Sequence, residues 1–384
     1  VTIVPLAELV RPAGNKAGGE TDLPVYSVTK HAGFVPSLEY FKKQVFSRDV
    51  AGYKVVEPGD FAYATIHLDE GSIGIAPARG LISPMYTVFR TDDSRVDPAF
   101  LIRYLKSPRA LALYPQLGKG AVHRRKAISL AALGNLPVLL PPLPEQRRIA
   151  AILDHADTLR AKRRQVLAHL DSLTQSIFND MFADVLERTR LKDMGVDFIS
   201  GKNVLGDDMD AHPVNRVIKV SAISGGTFIP SESKPMPRDY SPPETHRLRS
   251  GDILFGRASG SLELLGATAV VDDAPDDYFL PDKVWRLTTT ASGPVTKGFI
   301  LGVLRSADAR AFIRHTASGA AGVRNIGKAK LLEYEAPLPR IDRQLDFAER
   351  IEKIDRERAA LQRALSADDE LFNSLQSRAF RGEL

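Results

Sequence analysis

A chain of 384 residues, 43% hydrophobic and 26% charged with a net charge of +5, has an ordinary globular composition with room for two or three domains. The absence of cysteine removes disulfide frameworks, thiolate zinc sites and a cysteine nucleophile together, and fits a reducing compartment. No apolar run approaches the ~18 residues needed to span a bilayer, and Val1 to Arg11 lacks a basic region followed by an apolar stretch, so the expectation is a cytoplasmic protein without membrane association.

Mixed strand and short helix come first. Tyr53-Lys54-Val55-Val56, Phe61 to Ile66 and Met85 to Phe89 read as strands punctuated by Pro58-Gly59, Gly71 and Gly80, and an amphipathic helix follows from Pro98 to Leu113. Pro141, Pro142 and Pro144 close this segment. From Glu145 to Met181 the apolar residues Ile149, Leu153, Ala156, Leu167, Leu170, Leu173, Ile177 and Met181 recur in steps of three and four or their multiples, the period of one long amphipathic helix. At ~1.5 Å per residue such a helix is roughly 55 Å long. The pattern then repeats. Val217 to Val220, Asp252 to Phe255, Ala267 to Val271 and Val284 to Leu287 read as strands, and Thr296 to Ile313 as an amphipathic helix. After Pro337 and Pro339 a second long helix carries Phe347, Ile351, Ile354, Leu361, Leu365, Leu371, Leu375 and Ala379.

The duplication extends to the residues themselves. Leu173-Thr174-Gln175-Ser176-Ile177-Phe178 faces Leu371-Phe372-Asn373-Ser374-Leu375-Gln376 at an offset of 198 residues (173 to 371), and Glu145-Gln146 faces Arg343-Gln344 at the same offset. Gly59-Asp60 and Gly251-Asp252 each open a strand in their half. Charge repeats too. Between Asp97 and Glu145 there is no acid, while Arg103, Lys106, Arg109, Lys119, Arg124, Arg125 and Lys126 fall inside. Between Asp308 and Glu333 the same holds, with Arg310, Arg314, Arg324, Lys328 and Lys330. Cations clustered away from carboxylates make a surface able to displace counterions from phosphates. A duplicated chain usually forms a two-fold object, and DNA is a partner suited to that symmetry.

Catalytic patterns are missing. Ser241-Pro242-Pro243-Glu244 lacks the amide and the aromatic residue of a DNA-methylating loop, and Glu232-Ser233-Lys234 lies in a turn-rich stretch rather than in a carboxylate cluster. No glycine-rich phosphate loop and no paired-histidine helix motif occurs. The residues point to a binding protein with no catalytic residues, no cofactor and no metal of its own.

Leu143-Pro144-Glu145-Gln146-Arg147-Arg148-Ile149-Ala150-Ala151-Ile152-Leu153-Asp154, with the second helix ending Leu375 to Leu384, resembles the conserved regions of specificity (S) subunits of type I restriction-modification systems. What the resemblance implies is an α+β fold. Two mixed α/β target recognition domains, related by pseudo-two-fold symmetry, are separated by two long antiparallel helices forming a coiled-coil spacer. The expected boundaries are 1–143 for the first recognition domain, 144–184 for the central spacer helix, 185–338 for the second recognition domain and 339–384 for the C-terminal spacer helix. Each domain would read one half of a bipartite sequence in double-stranded DNA, and the helices would set the spacing. Implied partners are two DNA-adenine methyltransferase (modification) subunits and a restriction/translocase subunit. The second copy departs from the pattern, with Pro339-Arg340-Ile341-Asp342-Arg343-Gln344 where the first has Pro144-Glu145-Gln146.

Contact candidates are the polar and basic residues of loops. In the first half the best loop holds Lys119, His123, Arg124, Arg125 and Lys126; its counterpart in the second holds Ser318, Gly319, Arg324, Asn325 and Lys328. Most such groups hold phosphates, and arginine and asparagine are the better base readers because they bond bidentately to base edges. Lys30, His31, Lys42, Lys43 and His67, and Lys202, Lys219, Arg257 and Ser259, are secondary candidates. Tyr53, Tyr63, Tyr86 and Trp285 are expected in the core. Two alternatives stand beside the recognition subunit: a DNA-modifying or DNA-cleaving enzyme in its own right, and a coiled-coil assembly adaptor without DNA specificity.

Overall fold

The computed structural model describes residues 2–19, 22–118, 127–207, 210, 212–319 and 322–384. The chain divides into two compact units, Val1–Arg163 with Leu365–Leu384, and Arg164–Ala364.

The first unit contains β1 (Thr2–Pro5), β2 (Val10–Pro12), β3 (Val25–Thr29), β4 (Gly33–Pro36), α1 (Ser37–Tyr40), β5 (Lys54–Val56), β6 (Phe61–Ala64), β7 (Ile73–Ile75), β8 (Gly80–Ile82), β9 (Tyr86–Thr91), α2 (Pro98–Leu105), α3 (Pro108–Leu117), α4 (Leu130–Leu133) and β10 (Pro137–Leu140). The long helix α5 (Leu143–Phe182) begins here. One antiparallel sheet runs β2-β9-β6-β7, and a mixed sheet runs β4-β3-β8-β5 with β3 parallel to β8. Phe61 and Phe89 sit opposite each other on β6 and β9 and stack with ring centroids 5.0 Å apart, a cross-strand pair that anchors the core.

The second unit holds β11 (Arg188–Arg190), β12 (Val196–Ser200), β13 (Arg216–Ile218), α6 (Ser221–Ser224), β14 (Ser233–Pro235), β15 (Ile253–Gly256), β16 (Ala258–Ser259), β17 (Thr268–Val270), β18 (Tyr278–Phe279), β19 (Val284–Thr289), α7 (Lys297–Arg305), α8 (Ala307–Thr316), β20 (Arg324–Asn325), α9 (Lys328–Leu332), β21 (Glu335–Pro337) and the long helix α10 (Ile341–Ala379) as far as Ala364. Its sheets run β12-β19-β15-β17 and β14-β13-β18, the latter with β13 parallel to β18. Trp285 lies opposite Phe255 and stacks on it with centroids 5.9 Å apart.

The amphipathic stretch expected as one helix in each half is two helices. Ser107 caps α3 through the amide of Ala110, and Ser306 caps α8 through that of Ala309. A serine hydroxyl offers the backbone an acceptor outside the helix, and Pro108 cannot donate to the preceding turn, so the chain turns at both places.

The Gly-Asp pairs are turn devices. Gly59 and Gly251 take φ of +89° and +82°, where a side chain would be strained. Each aspartate folds back on its own turn: Asp60 accepts from the Glu57 amide at 2.8 Å and Arg90 Nε at 2.7 Å, and Asp252 accepts from the Arg249 amide at 2.9 Å and Arg286 at 3.2 Å.

A buried glutamine ties each long helix to its unit. Gln146 accepts from the Asp97 amide at 2.7 Å and donates to the carbonyls of Arg95 and Pro141. Gln344 accepts from the Thr296 amide at 2.9 Å and donates to the carbonyls of Pro294 and Pro339, both at 2.8 Å. Both glutamines are 0% exposed, so all of these bonds are made away from water.

Within the first unit the start of α5 lies antiparallel to the end of α10, with Arg160 on Asp369 at 2.5 Å and Arg163 on Asp368 at 2.5 Å. Within the second unit the end of α5 lies antiparallel to the start of α10, where Phe178 and Phe182 pack against Phe347 and Arg343 donates to the Met181 carbonyl. The helix stripe differs from the periodic reading at one position in each copy. Leu173 and Leu371 are 45% and 54% exposed, while Phe178, Phe182, Phe372 and Phe380 are buried. Phe380 fits edge-on between Phe100 and Tyr104, and this aromatic contact selects the inward face. Among the described residues, no helix is long and apolar enough to cross a membrane.

Candidate nucleic-acid interface

In the second unit the short strands β16 and β20 pair antiparallel, with Ser259 opposite Arg324 and Ala258 opposite Asn325. Ser318 and Asn325 exchange two backbone hydrogen bonds of 2.8 Å, and the Ile326 amide donates to the Arg257 carbonyl at 3.0 Å. Arg257, Ser259, Ser318, Gly319, Arg324 and Asn325 are thus gathered on one small ladder, although the two segments lie far apart in sequence. Gly319 has φ of +125°, and a Cβ there would stand 2.2 Å from the Val323 carbonyl oxygen, so only glycine lets the loop close.

The side chains on the ladder differ in freedom. Arg324 is exposed and donates to the Gly319 carbonyl at 3.2 Å, and Ser318 is exposed. Arg257 is held, its Nε on the Asp282 carbonyl at 2.9 Å and its guanidinium 5.6 Å from the Trp285 ring centre. Ser259 is buried and its hydroxyl accepts from the Ser261 amide, so it shapes the turn from within. Lys328 reaches the Phe198 carbonyl at 3.1 Å and Asp197 at 3.0 Å.

Lys202 and Lys219 are not on the ladder. Lys202 is exposed, next to Gly201 at the end of β12, and together with Arg286 and burial it holds the His246 imidazole below its ordinary pKa; burial is the largest cause. Lys219 pairs with Glu232 at 3.4 Å. Glu232 also accepts from Ser221 at 2.5 Å, and these two partners keep its carboxyl below the usual range.

In the first unit Lys119, His123, Arg124, Arg125 and Lys126 lie outside the described residues. Both ends of that segment are described. It leaves α3 after Leu117 and returns at Ile128, whose amide donates to the Thr65 carbonyl at 2.9 Å and whose carbonyl accepts from the Tyr63 hydroxyl at 3.0 Å. The Ile128–Thr65 bond has the same place in its unit as the Ile326–Arg257 bond in the other. His67 follows Thr65, is exposed, and stands 3.5 Å from Glu70. Lys30 and His31 form the exposed turn between β3 and β4, and Lys42 and Lys43 are exposed beyond α1. Tyr53, Tyr63 and Trp285 are core residues, as expected, and Tyr86 is half-buried.

No protein-family model matches the chain. The type I restriction enzyme EcoKI specificity subunit of Escherichia coli is 23% identical over 301 residues, covering 69% of this chain and 64% of that protein. The chain is similar to type I specificity subunits. It spans 64% of the length of the Escherichia coli subunit, so the likeness covers part of that protein. Two solved structures share its fold. A type I restriction-modification S subunit from M. genitalium is 14% identical with a TM-score of 0.57, covering 99% of this chain and 96% of that one. A chain from a study of assembly and conformational transition of a type I system is 16% identical with a TM-score of 0.50, covering 100% of this chain and 98% of that one.

Three residues that sequence reading gave no site role position these segments. Asp282 holds Arg257 through its carbonyl, Thr65 tethers the basic segment of the first unit, and Gln344 fixes the helix start. Two act through backbone atoms, which carry no residue-type signal. Gln344 was visible as the partner of Gln146 at the 198-residue offset (146 to 344).

Proposed function

We propose that this chain is the DNA-recognition subunit of a type I restriction-modification complex. Each unit reads one half of a bipartite target in double-stranded DNA, the two long helices act as a coiled-coil spacer between pseudo-two-fold-related recognition domains, and the chain itself performs no chemistry. The boundaries follow the sequence reading: recognition domains over 1–143 and 185–338, spacer helices over 144–184 and 339–384. The partners are two DNA-adenine methyltransferase subunits and a restriction/translocase subunit.

One observation carries the reading. An acid-free, cation-bearing segment returns to the sheet through an isoleucine amide bonded to a strand-end carbonyl in both units, Ile128 to Thr65 and Ile326 to Arg257. Two such segments on similar frames supply phosphate-neutralising charge twice, which a two-part DNA site requires. Arg324 and Asn325 are the base-reading candidates of the second unit, with Arg257 and Ser259 supporting them from beneath. The likeness to specificity subunits supports the same reading.

The test is reconstitution. The chain is expected to bind DNA alone without altering it, and to direct adenine methylation to one split sequence when a type I methyltransferase subunit and AdoMet are added. Turnover by the isolated chain would establish an enzyme, and absence of salt-dependent DNA binding would favour the assembly adaptor.

A further inference from the structure

The first unit contains an open cleft of about 330 Å³ beside the end of β6, lined by Thr65, whose carbonyl receives the returning acid-free segment. Buried Tyr53 and half-buried Phe46 and Tyr86 give it an aromatic lining. Val45 and Met85 also line it and are 55% and 69% exposed, so they form its outer walls. Among the described residues no acid lines the cleft. Lys42, Lys43 and Arg48 flank Val45 and Phe46 in sequence; all three are exposed, and none has an ion-pair partner among the described residues. Asp49 turns back on the Ala51 amide at 3.0 Å, and Glu70 stands 3.5 Å from His67.

The hydroxyls around the cleft are already bonded within the chain. Tyr53 accepts from the Ser47 amide at 3.0 Å, Tyr86 from that of Val28 at 3.4 Å, Ser47 from that of Asp49 at 3.2 Å and Ser83 from that of Met85 at 3.4 Å. The Ser27 hydroxyl bonds that of Ser37 at 2.8 Å. What the cleft offers a ligand is therefore mainly apolar surface with positive charge beside it.

The second unit shows that the fold does not need a methionine at this place. Ala64 lies opposite Tyr86 and Gly256 opposite Val284, and each is followed by the residue whose carbonyl receives the isoleucine amide. Met85 and Lys283, the residues before Tyr86 and Val284, therefore correspond. Lys283 is exposed and its carbonyl accepts from the Arg257 amide at 3.1 Å, while Thr65 Oγ1 lies 3.5 Å from the Met85 carbonyl. Backbone atoms hold both positions. The change from cation to thioether thus falls on a side chain that packing does not fix and that a ligand meets.

Resting on the recognition function proposed above, we infer that this cleft reads a thymine of the bound duplex, with the 5-methyl group seated against Met85 and Val45. That methyl is the apolar feature DNA presents in the major groove, and apolar side chains are what recognise it. Lys42, Lys43 and Arg48 suit the flanking phosphates, which position the duplex without carrying sequence information.

The experiment uses the full chain reconstituted with a type I methyltransferase subunit. Mapping the adenines it methylates gives both half-sites. In duplexes of that sequence each thymine is replaced in turn by uracil, which removes only the methyl group, and Kd is measured by fluorescence anisotropy. At one thymine the replacement is expected to weaken binding about 4- to 10-fold. Met85→Gln should abolish this penalty, and Met85→Leu, which stays apolar, should keep it. If no thymine shows the penalty, or if Met85→Gln shows it undiminished, the site is overturned while sequence-specific methylation stands. Failure of the recognition function looks different: no sequence is then singled out by the complex, and the site falls with it.

Discussion

Replacing Gln344 by alanine tests the anchor that fixes the start of α10. The side chain is 0% exposed and makes three hydrogen bonds, accepting from the Thr296 amide and donating to the carbonyls of Pro294 and Pro339. Alanine leaves one donor and two acceptors buried without this partner. At about 1 kcal/mol for each bond the loss is about 3 kcal/mol, before any cavity cost. With a urea m-value of ~2–3 kcal/mol/M, the midpoint should fall by about 1–1.5 M. Trp285 is the chain's single tryptophan and is buried against Phe198 and Phe255 in the same unit, so its fluorescence follows this unit. Gln344→Glu should be worse, because a carboxylate lacks the donor and would face two carbonyl oxygens as a buried anion. A midpoint shift below about 0.3 M for Gln344→Ala, or wild-type behaviour of Gln344→Glu, would refute the reasoning.

Replacing Arg124, Arg125 and Lys126 together with alanine is expected to weaken DNA binding on all sequences and to flatten the log–log salt dependence by up to about 2.7, measured by fluorescence anisotropy across a salt series; an unchanged slope removes these residues from the interface. Asp355→Asn leaves Arg305 and Arg358, which are 14% and 8% exposed, without their shared carboxylate, and should destabilise the second unit by about 3–5 kcal/mol in urea unfolding. For His246 the folded pKa lies below the ordinary histidine value of 6.5, since burial, Lys202 and Arg286 all disfavour the charged ring. The unfolded chain therefore binds the proton first, so the stability linked to this histidine is complete above about pH 6.5 and falls as pH drops toward the folded value. An NMR titration should place its midpoint below 6.5, and His246→Gln should reduce the acid sensitivity of unfolding; a midpoint at or above 6.5 contradicts the assignment.

The order of the elements was legible in the residues because helix and strand impose different periods on the same apolar alphabet, and prolines and glycines mark where each must stop. The 198-residue repeat, the long helices, the strand sites and the acid-free windows all follow from that one-dimensional pattern. Periodicity could not choose between adjacent apolar residues on a helix. Leu173 and Phe178, or Leu371 and Phe372, are equally apolar in a list, and the ring contacts of Phe178 with Phe347 and of Phe380 with Tyr104 decide which face turns inward. Tertiary structure also decided that residues 365–384 complete the first unit, that Ser107 and Ser306 split each amphipathic stretch, and that Ser259 is buried beneath the ladder while Arg324 is exposed. These outcomes depend on hydrogen bonds and packing between residues distant in sequence, many through backbone atoms, and no residue-type pattern encodes a partner that the chain brings near only by folding.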